Sequence, residues 1–285
     1  MTRAPEQNAL EPKALEPVLA EVARRRGIDF RDYRPDSLLR GVRTRMAERG
    51  AADLEDYRRS LEDESEINRL IEAMVVPWSR FFRDPAVFQA LSERVLPALV
   101  FNHLERRPLR AWCVGAATGE EAWTMAMLLA EACDTPGGPS WELIATDIDR
   151  RTLAAAEAGD YPLVSVESVP ERYARRHLIP SATRVQVAPA LRPRVRFVFH
   201  DLLGPTLAPA AAIVAAFDLV LVRNVLIYFD RRLQEKALAR LAAVLPAGGA
   251  LVLGEVETLP DSVATGFEPF PGVDPALRIF VAKGT

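Results

Sequence analysis

The chain changes rhythm once, near residue 109. Before that point apolar residues recur at spacings of three and four, and no strand-like alternation interrupts them. Leu38, Leu39, Val42 and Met46 mark one face of a helix, because 3.6 residues per turn bring such positions together. Asp36 or Ser37 is placed to cap its start, since a short side-chain oxygen accepts the free amide protons of a first turn. Gly50 stands where the same helix would end. Further helices are expected over residues 53–61 and 64–74. Residues 15–85 therefore read as a small all-helical domain, and residues 1–14 as a loose, polar, proline-bearing leader.

Beyond residue 109 the apolar runs LRAWCVG, WELIATDID, RVRFVFHDLL, FDLVLVRN, GALVLGEVE and ALRIFVAK read as strands. Between them ATGEEAWTMAMLLAEA, RTLAAAEAG and residues 231–245 carry a helical pattern. Strands alternating with helices predict βαβ units and a mostly parallel sheet, so residues 86–285 form an α/β domain. The strands show little alternation, as a sheet covered on both faces requires. Residues 161–194 break the rhythm and read as an insertion of a helix and short strands. Composition changes this picture little. The 285 residues, 49% hydrophobic and 26% charged, suffice for both domains. A formal net charge of −3 argues against a nucleic-acid binder. No apolar run is long enough to span a membrane, and the first residues lack the hydrophobic segment of a secretory signal, so a cytoplasmic protein is expected. Cys113 and Cys133 lack metal-site spacing and are expected as reduced core thiols. His103, His177 and His200 are scattered, and no metal site is expected.

The candidate chemistry sits where the strands end. In doubly wound sheets ligands bind outside the carboxyl ends of the strands. Gly115 and Gly119 follow the first strand, where glycine lets the backbone turn tightly and approach a ligand. Asp147 ends the second, about 28 residues after Gly119, and can accept hydrogen bonds from ribose hydroxyls. Asp149, directly before a helical run, is the better helix cap, which leaves Asp147 for the ligand. Asp201 and Leu202 end the third strand, suited to an adenine amino group and ring. Arg223 and Asn224 end the fourth. Together these groups predict a nucleoside-cofactor site. Thr118, Glu120 and Glu121 crowd the first turn with negative charge, which repels a pyrophosphate and favours the sulfonium of S-adenosylmethionine.

Four segments in order, SRFFRDPAVFQAL, WCVGAATGEEAWTMAM, ATDIDRRTLAAAEAGDY and FDLVLVRNVLIYFD, resemble the chemotaxis receptor (protein-glutamate) O-methyltransferases of the CheR type. The resemblance covers about residues 15–260. It implies a Rossmann-like methyltransferase domain, a small N-terminal helical domain that docks on receptors, and an inserted small β-subdomain. It implies S-adenosylmethionine as methyl donor, S-adenosylhomocysteine as product and receptor glutamates as acceptors. Carried over by motif, Ser79 and Arg83 line the site, Glu120 and Asp147 hold the cofactor, and Asp201 and Leu202 flank its adenine. Arg83, Arg223 and Tyr228 are then the catalytic residues, while Phe81 and Phe82 are expected as interdomain core.

The helical domain adds a partner signal. Residues 24–49 hold nine arginines against four acids. Arg40, Arg43, Arg45 and Arg49 are expected mostly off the apolar face, suited to the acidic helical bundle that the resemblance implies as substrate. The chain departs from the family in three places. VPWS, with Pro77, replaces TN.T before FFRD. Gly254-Glu255-Val256-Glu257 replaces G-H-S-E. The insertion is short and lacks a glycine-rich loop, which predicts independence from a C-terminal pentapeptide tether. The first two departures leave open a cofactor-binding but catalytically silent regulator; a small-molecule methyltransferase is the other alternative.

Overall fold

In the computed structural model, which describes residues 11–31, 33–75, 79–102, 107–212 and 216–284, a proline starts the helix that carries Leu38 and Val42. The chain divides into two units, Met1–Val76 with Tyr228–Asp230, and Pro77–Ile227 with Arg231–Thr285. In the first unit a single 3-10 turn, Pro12–Leu15, leads into helix α1 (Glu16–Arg26). The rest of the expected leader, residues 1–10, lies outside the described residues. Helices α2 (Pro35–Arg49), α3 (Leu54–Ser60) and α4 (Glu64–Met74) follow. Asp36 and Ser37 do not cap α2: Arg34 is its N-cap, without a side-chain bond, and Pro35 opens the first turn. Proline's fixed φ suits that position and its missing N–H leaves no orphan there. Gly50 closes α2 in the left-handed conformation at φ 66°, while Asp53 and Asp63 cap α3 and α4 with their carboxylates.

Two contacts set the packing of this unit. Helices α2 and α4 approach so closely at Gly41 that a Cβ there would lie 2.7 Å from the Met74 Cγ and amide nitrogen and 2.8 Å from the Ala73 carbonyl carbon. Beside that seam Arg45, on the buried face of α2, reaches the fully buried Glu66 of α4 through Nε and Nη2 at 2.9 and 2.7 Å. The Tyr57 hydroxyl donates to the same carboxylate at 3.0 Å. Tyr228–Asp230 completes the unit: the Tyr228 carbonyl accepts the Arg34 amide at 2.9 Å, and the Tyr33 and Phe229 rings meet edge to face.

The second unit opens with α5 (Pro85–Ala90), which runs through a π-helical turn, Leu91–Val95, into α6 (Leu96–Asn102). Strand β1 (Leu109–Val114), helix α7 (Glu120–Cys133), strand β2 (Trp141–Asp147) and helix α8 (Arg150–Ala158) come next. The inserted stretch holds β3 (Asp160–Pro162), α9 (Glu171–His177), β4 (Leu178–Pro180) and β5 (Arg184–Val187), and its strands form a separate antiparallel sheet in the order β3-β5-β4. The chain returns through β6 (Val195–Phe199), β7 (Leu219–Val222), α10 (Arg231–Ala243), β8 (Ala250–Leu253), α11 (Asp261–Ala264), β9 (Phe267–Pro269) and β10 (Ile279–Ala282).

The main sheet is ordered β6-β2-β1-β7-β8-β10-β9. Its first five strands pair in parallel, and β10 and β9 run antiparallel at the far end. Strands β7 and β8 are buried at every position, which is why their sequences are unbroken apolar runs. Phe81 and Phe82 lie in the core of this unit, against Tyr161, Phe88 and Tyr173, which replaces their expected place in an interdomain core. Cys113 and Cys133 are buried and unbridged; burial pushes the Cys133 thiol up to about 12. Among the described residues no helix is long and apolar enough to cross a membrane, and no cluster of His, Cys, Asp or Glu is arranged to hold a metal.

Gly41 supplies a test of the helical unit. Alanine is the better helix former by about 1 kcal/mol, whereas overpacking costs about 1–3 kcal/mol. The backbone of α4 cannot swing away as a side chain would, so Gly41→Ala is expected to lower stability in urea unfolding. Unchanged or higher stability would mean that the α2–α4 seam relaxes freely.

Candidate functional site

Five parallel strands deliver five carboxyl ends to one edge of the sheet. The chain steps outward through β1, β2 and β6, then returns to β7 on the other side of β1. That reversal opens a crevice at the ends of β1 and β7, where such folds bind ligands. The sequence-predicted residues gather along this edge: Gly115, Gly119 and Glu120 after β1, Asp147 at the end of β2, Asp201 and Leu202 after β6, and Arg223 and Asn224 after β7.

The turn after β1 owes its path to two glycines. Gly115 and Gly119 have φ of 72° and 94°. A Cβ on Gly115 would lie 2.3 Å from Val225 Cγ2, and one on Gly119 would lie 2.6 Å from Ala156 Cβ. Between them Ala117 is held at φ 46°, and its amide donates to Asp147 Oδ2 at 2.8 Å. The other Asp147 oxygen accepts the Asp149 amide at 3.0 Å. Asp147 therefore organises the turn after β1, and burial pushes its carboxyl up. Asp149 caps α8 by accepting the Arg151 amide at 2.8 Å, and its Oδ2 is buried without a hydrogen-bond partner. From the insertion, the Tyr161 hydroxyl donates to the Thr118 carbonyl at 2.7 Å. Glu120 is buried at the first position of α7 and accepts the Thr118 hydroxyl at 2.7 Å. Asp201 Oδ1 accepts the Leu203 amide at 2.9 Å, and Leu202 is buried.

Arg223 is the most constrained of the predicted residues. Its side chain is fully buried, with Nη1 2.6 Å from Glu121 Oε2 and Nη2 2.5 Å from Asp84 Oδ2. Nη2 also donates to the Arg83 carbonyl at 3.3 Å, and the guanidinium lies over the Phe88 ring. It is thus held within the protein, tying the FFRD segment to α7, and presents no surface to a substrate. The FFRD segment itself is bent, with φ of 49° at Phe82 and 60° at Asp84. It is further fixed by the Phe82 amide on Thr124 Oγ1 and by the Ser168 hydroxyl on the Phe81 carbonyl. Ser79 and Arg83 are half-buried. Tyr228, expected beside Arg223, groups with the helical unit.

After β7 the backbone turns sharply at Asn224, φ 60°. Glu257, after β8, holds this turn. Its Oε2 accepts the amides of Gly254 and Asn224 at 2.7 and 3.1 Å, and its Oε1 accepts those of Val225 and Leu226 at 2.9 and 2.8 Å. Burial pushes this carboxyl up against the downward pull of four amides.

Three residues carry roles that the sequence does not assign to them. Glu121, expected as an acid of the first turn, and Asp84, next to Arg83, are the partners of Arg223. Glu257 stood in view as the last letter of Gly254-Glu255-Val256-Glu257, the segment taken as a departure. Of the four arginines expected to dock on a receptor, Arg40, Arg43 and Arg49 are exposed, Arg49 lying 3.7 Å from Glu66. Arg45 is not: it lies three residues after Val42 on the buried stripe and pairs with Glu66 and Glu48. Pro77 lies outside the described residues.

The donor set fits S-adenosylmethionine. Glycines whose Cβ would clash shape the first turn, acids line it, and Arg223 beside them is paired with two carboxylates. Such an edge accepts hydroxyl and amino donors and a cation, and disfavours a pyrophosphate.

Residues 78–272 match the CheR methyltransferase SAM-binding domain, and residues 13–75 the CheR methyltransferase all-alpha domain. The chain is 34% identical over 195 residues to chemotaxis protein methyltransferase 1 of Pseudomonas aeruginosa, covering 67% of this chain and 69% of that one. It is 30% identical over 251 residues to the chemotaxis protein methyltransferase of Salmonella typhimurium, covering 85% and 82%. An uncharacterized 104.1 kDa protein of Rhodobacter capsulatus is 35% identical over 234 residues; they make up 81% of this chain and only 24% of that one.

His200, beside Asp201, tests how tightly the edge is packed. It is buried against Trp112, its Nε2 has no partner, and burial pushes its pKa down from 6.5 to about 4. The unfolded chain therefore holds a proton between pH 6.5 and 4 that the folded chain does not, so this contribution is complete above pH 6.5 and lost as pH falls towards 4. The loss amounts to at most about 3 kcal/mol. His200→Gln is expected to flatten the dependence of unfolding free energy on pH across that window. Parallel slopes for both proteins would show that the ring titrates normally in the fold.

Proposed function

Because the chain belongs to the CheR methyltransferase family, we propose that it transfers the methyl group of S-adenosylmethionine to glutamate side chains of a chemoreceptor, leaving S-adenosylhomocysteine. The observation that carries this reading is the acidic, glycine-turned edge after β1, with Glu120 and Asp147 on it and the FFRD segment locked beside it through Arg223. When bound, the cofactor supplies an electrophilic methyl group on a sulfonium. A glutamate carboxylate is already ionised at neutral pH, so no general base is needed. The chain's own task is to hold that carboxylate in line and to exclude water around it.

Arg83 takes the orienting role, through charge-assisted hydrogen bonds to the carboxylate. Arg223 is a positioning residue, since its guanidinium already holds two acids and the Arg83 carbonyl. Asp147, Asp201 and Leu202 hold the nucleoside. Glu257 keeps the loop after β7 in place, so the changed letters Glu255 and Val256 leave that loop intact, which supports an active enzyme over a silent regulator. The partner is the acidic cytoplasmic helical bundle of a receptor, met by Arg40, Arg43 and Arg49, and a helical domain with that face favours a protein substrate over a small molecule. Only Ser181, Ala182 and Thr183, none of them glycine, separate β4 from β5, in keeping with docking that does not need a pentapeptide tether.

Calorimetric titration with S-adenosylhomocysteine is expected to give micromolar binding that weakens at least about tenfold, or 1.4 kcal/mol, in Asp147→Ala. Absence of binding to the wild-type chain would overturn the enzyme reading. Charge reversal at Arg40 and Arg43 is expected to lower the methylation rate of receptor-bundle fragments about tenfold or more at unchanged cofactor affinity. Equal rates would remove α2 as the docking face.

A further inference from the structure

We propose that Glu257 is a positioning residue for the cofactor site, acting through the backbone of the loop Arg223–Leu226; the inference rests on the cofactor reading given above. The geometry is specific to a carboxylate. Each oxygen accepts two amides, Val225 and Leu226 on Oε1 and Asn224 and Gly254 on Oε2. The group is buried, so water cannot replace it. Gly254 belongs to the same device: a Cβ there would lie 2.7 Å from Glu257 Oε2 and 3.0 Å from the Asn224 amide nitrogen. What the loop gains is a conformation it would not otherwise hold. Asn224 sits at φ 60°, and the adjacent Val225 side chain packs where a Gly115 Cβ would be. Glu257 thereby fixes both the seat of Arg223 and the wall that faces the β1–α7 turn.

Glutamine is the informative replacement, because it keeps the size and loses the symmetry. Whichever way its amide turns, an NH2 group faces two N–H donors, so at most half of the four bonds survive. In the full chain, Glu257→Gln is expected to speed amide exchange at Asn224, Val225 and Leu226 at least about tenfold, while the amides of β1 and β2 keep wild-type protection. The affinity for S-adenosylhomocysteine is expected to fall at least about tenfold, or 1.4 kcal/mol. Gly254→Ala, which retains the charge and displaces the carboxylate, is expected to act in the same direction. A purely structural role predicts instead faster exchange throughout the sheet, with unchanged affinity in the folded fraction. Wild-type binding matched by both variants, or unaltered exchange at residues 224–226, would overturn this inference alone. Failure of the wild-type chain to bind would overturn the cofactor reading and this inference with it.

Discussion

A loop leaving the carboxyl edge of a parallel sheet carries amide hydrogens that the ladder no longer satisfies. At depth each one left bare costs about 1–3 kcal/mol. Here side-chain carboxylates satisfy many of them: Asp147 takes two amides, Asp149 one, and Glu257 four. An isolated buried carboxylate is expensive, yet one that accepts several N–H donors recovers much of its lost hydration. The acids of the edge thus stabilise the backbone first, and the cofactor crevice takes the shape that this backbone gives it.

The helical unit solves a similar problem with a cation. Arg45 bridges Glu66 of α4 and Glu48 of its own helix, and the buried Glu66 is met by Arg45, by Arg49 at 3.7 Å and by the Tyr57 hydroxyl. The pair spans the same seam that Gly41 keeps narrow, so close approach and charge pairing reinforce each other. One helix therefore carries a buried arginine that joins it to its neighbour and, on its exposed side, Arg40, Arg43 and Arg49, the last of which also reaches Glu66 at 3.7 Å.

Much of this was legible from the letters alone. Alternating apolar runs and helical patterns mark the strands of the main sheet other than β9, and their polar ends mark the edge at which the cofactor site is proposed. Three-residue β9 lacks the length to show a period. Arg45 is legible in principle, because the spacing from Leu38 through Val42 already puts position 45 on the buried stripe. Glu121, Asp84 and Glu257 were not legible as partners. Their roles depend on which distant segments the topology brings together, with Asp84 lying 139 positions from Arg223. Local pattern carries no record of such pairings.

Five described residues other than glycine adopt left-handed backbone angles: Phe82, Asp84, Ala117, Asn224 and Arg278. The first four lie in the three segments that build the functional edge. Each such residue costs about 1–2 kcal/mol relative to an unstrained one, while a domain's whole margin is about 5–15 kcal/mol. At Ala117, where a single methyl is at stake, selection for stability alone would favour glycine. An engineer who sought a hardier version of this chain would find the easiest gains at Ala117 and Asn224, where improvement trades durability against a working site, whereas Asp84 is held in place by the buried Arg223. The surplus that lets the chain keep these residues comes from its ordinary interior, so even core positions remote from the edge bear on how much strain the edge can hold.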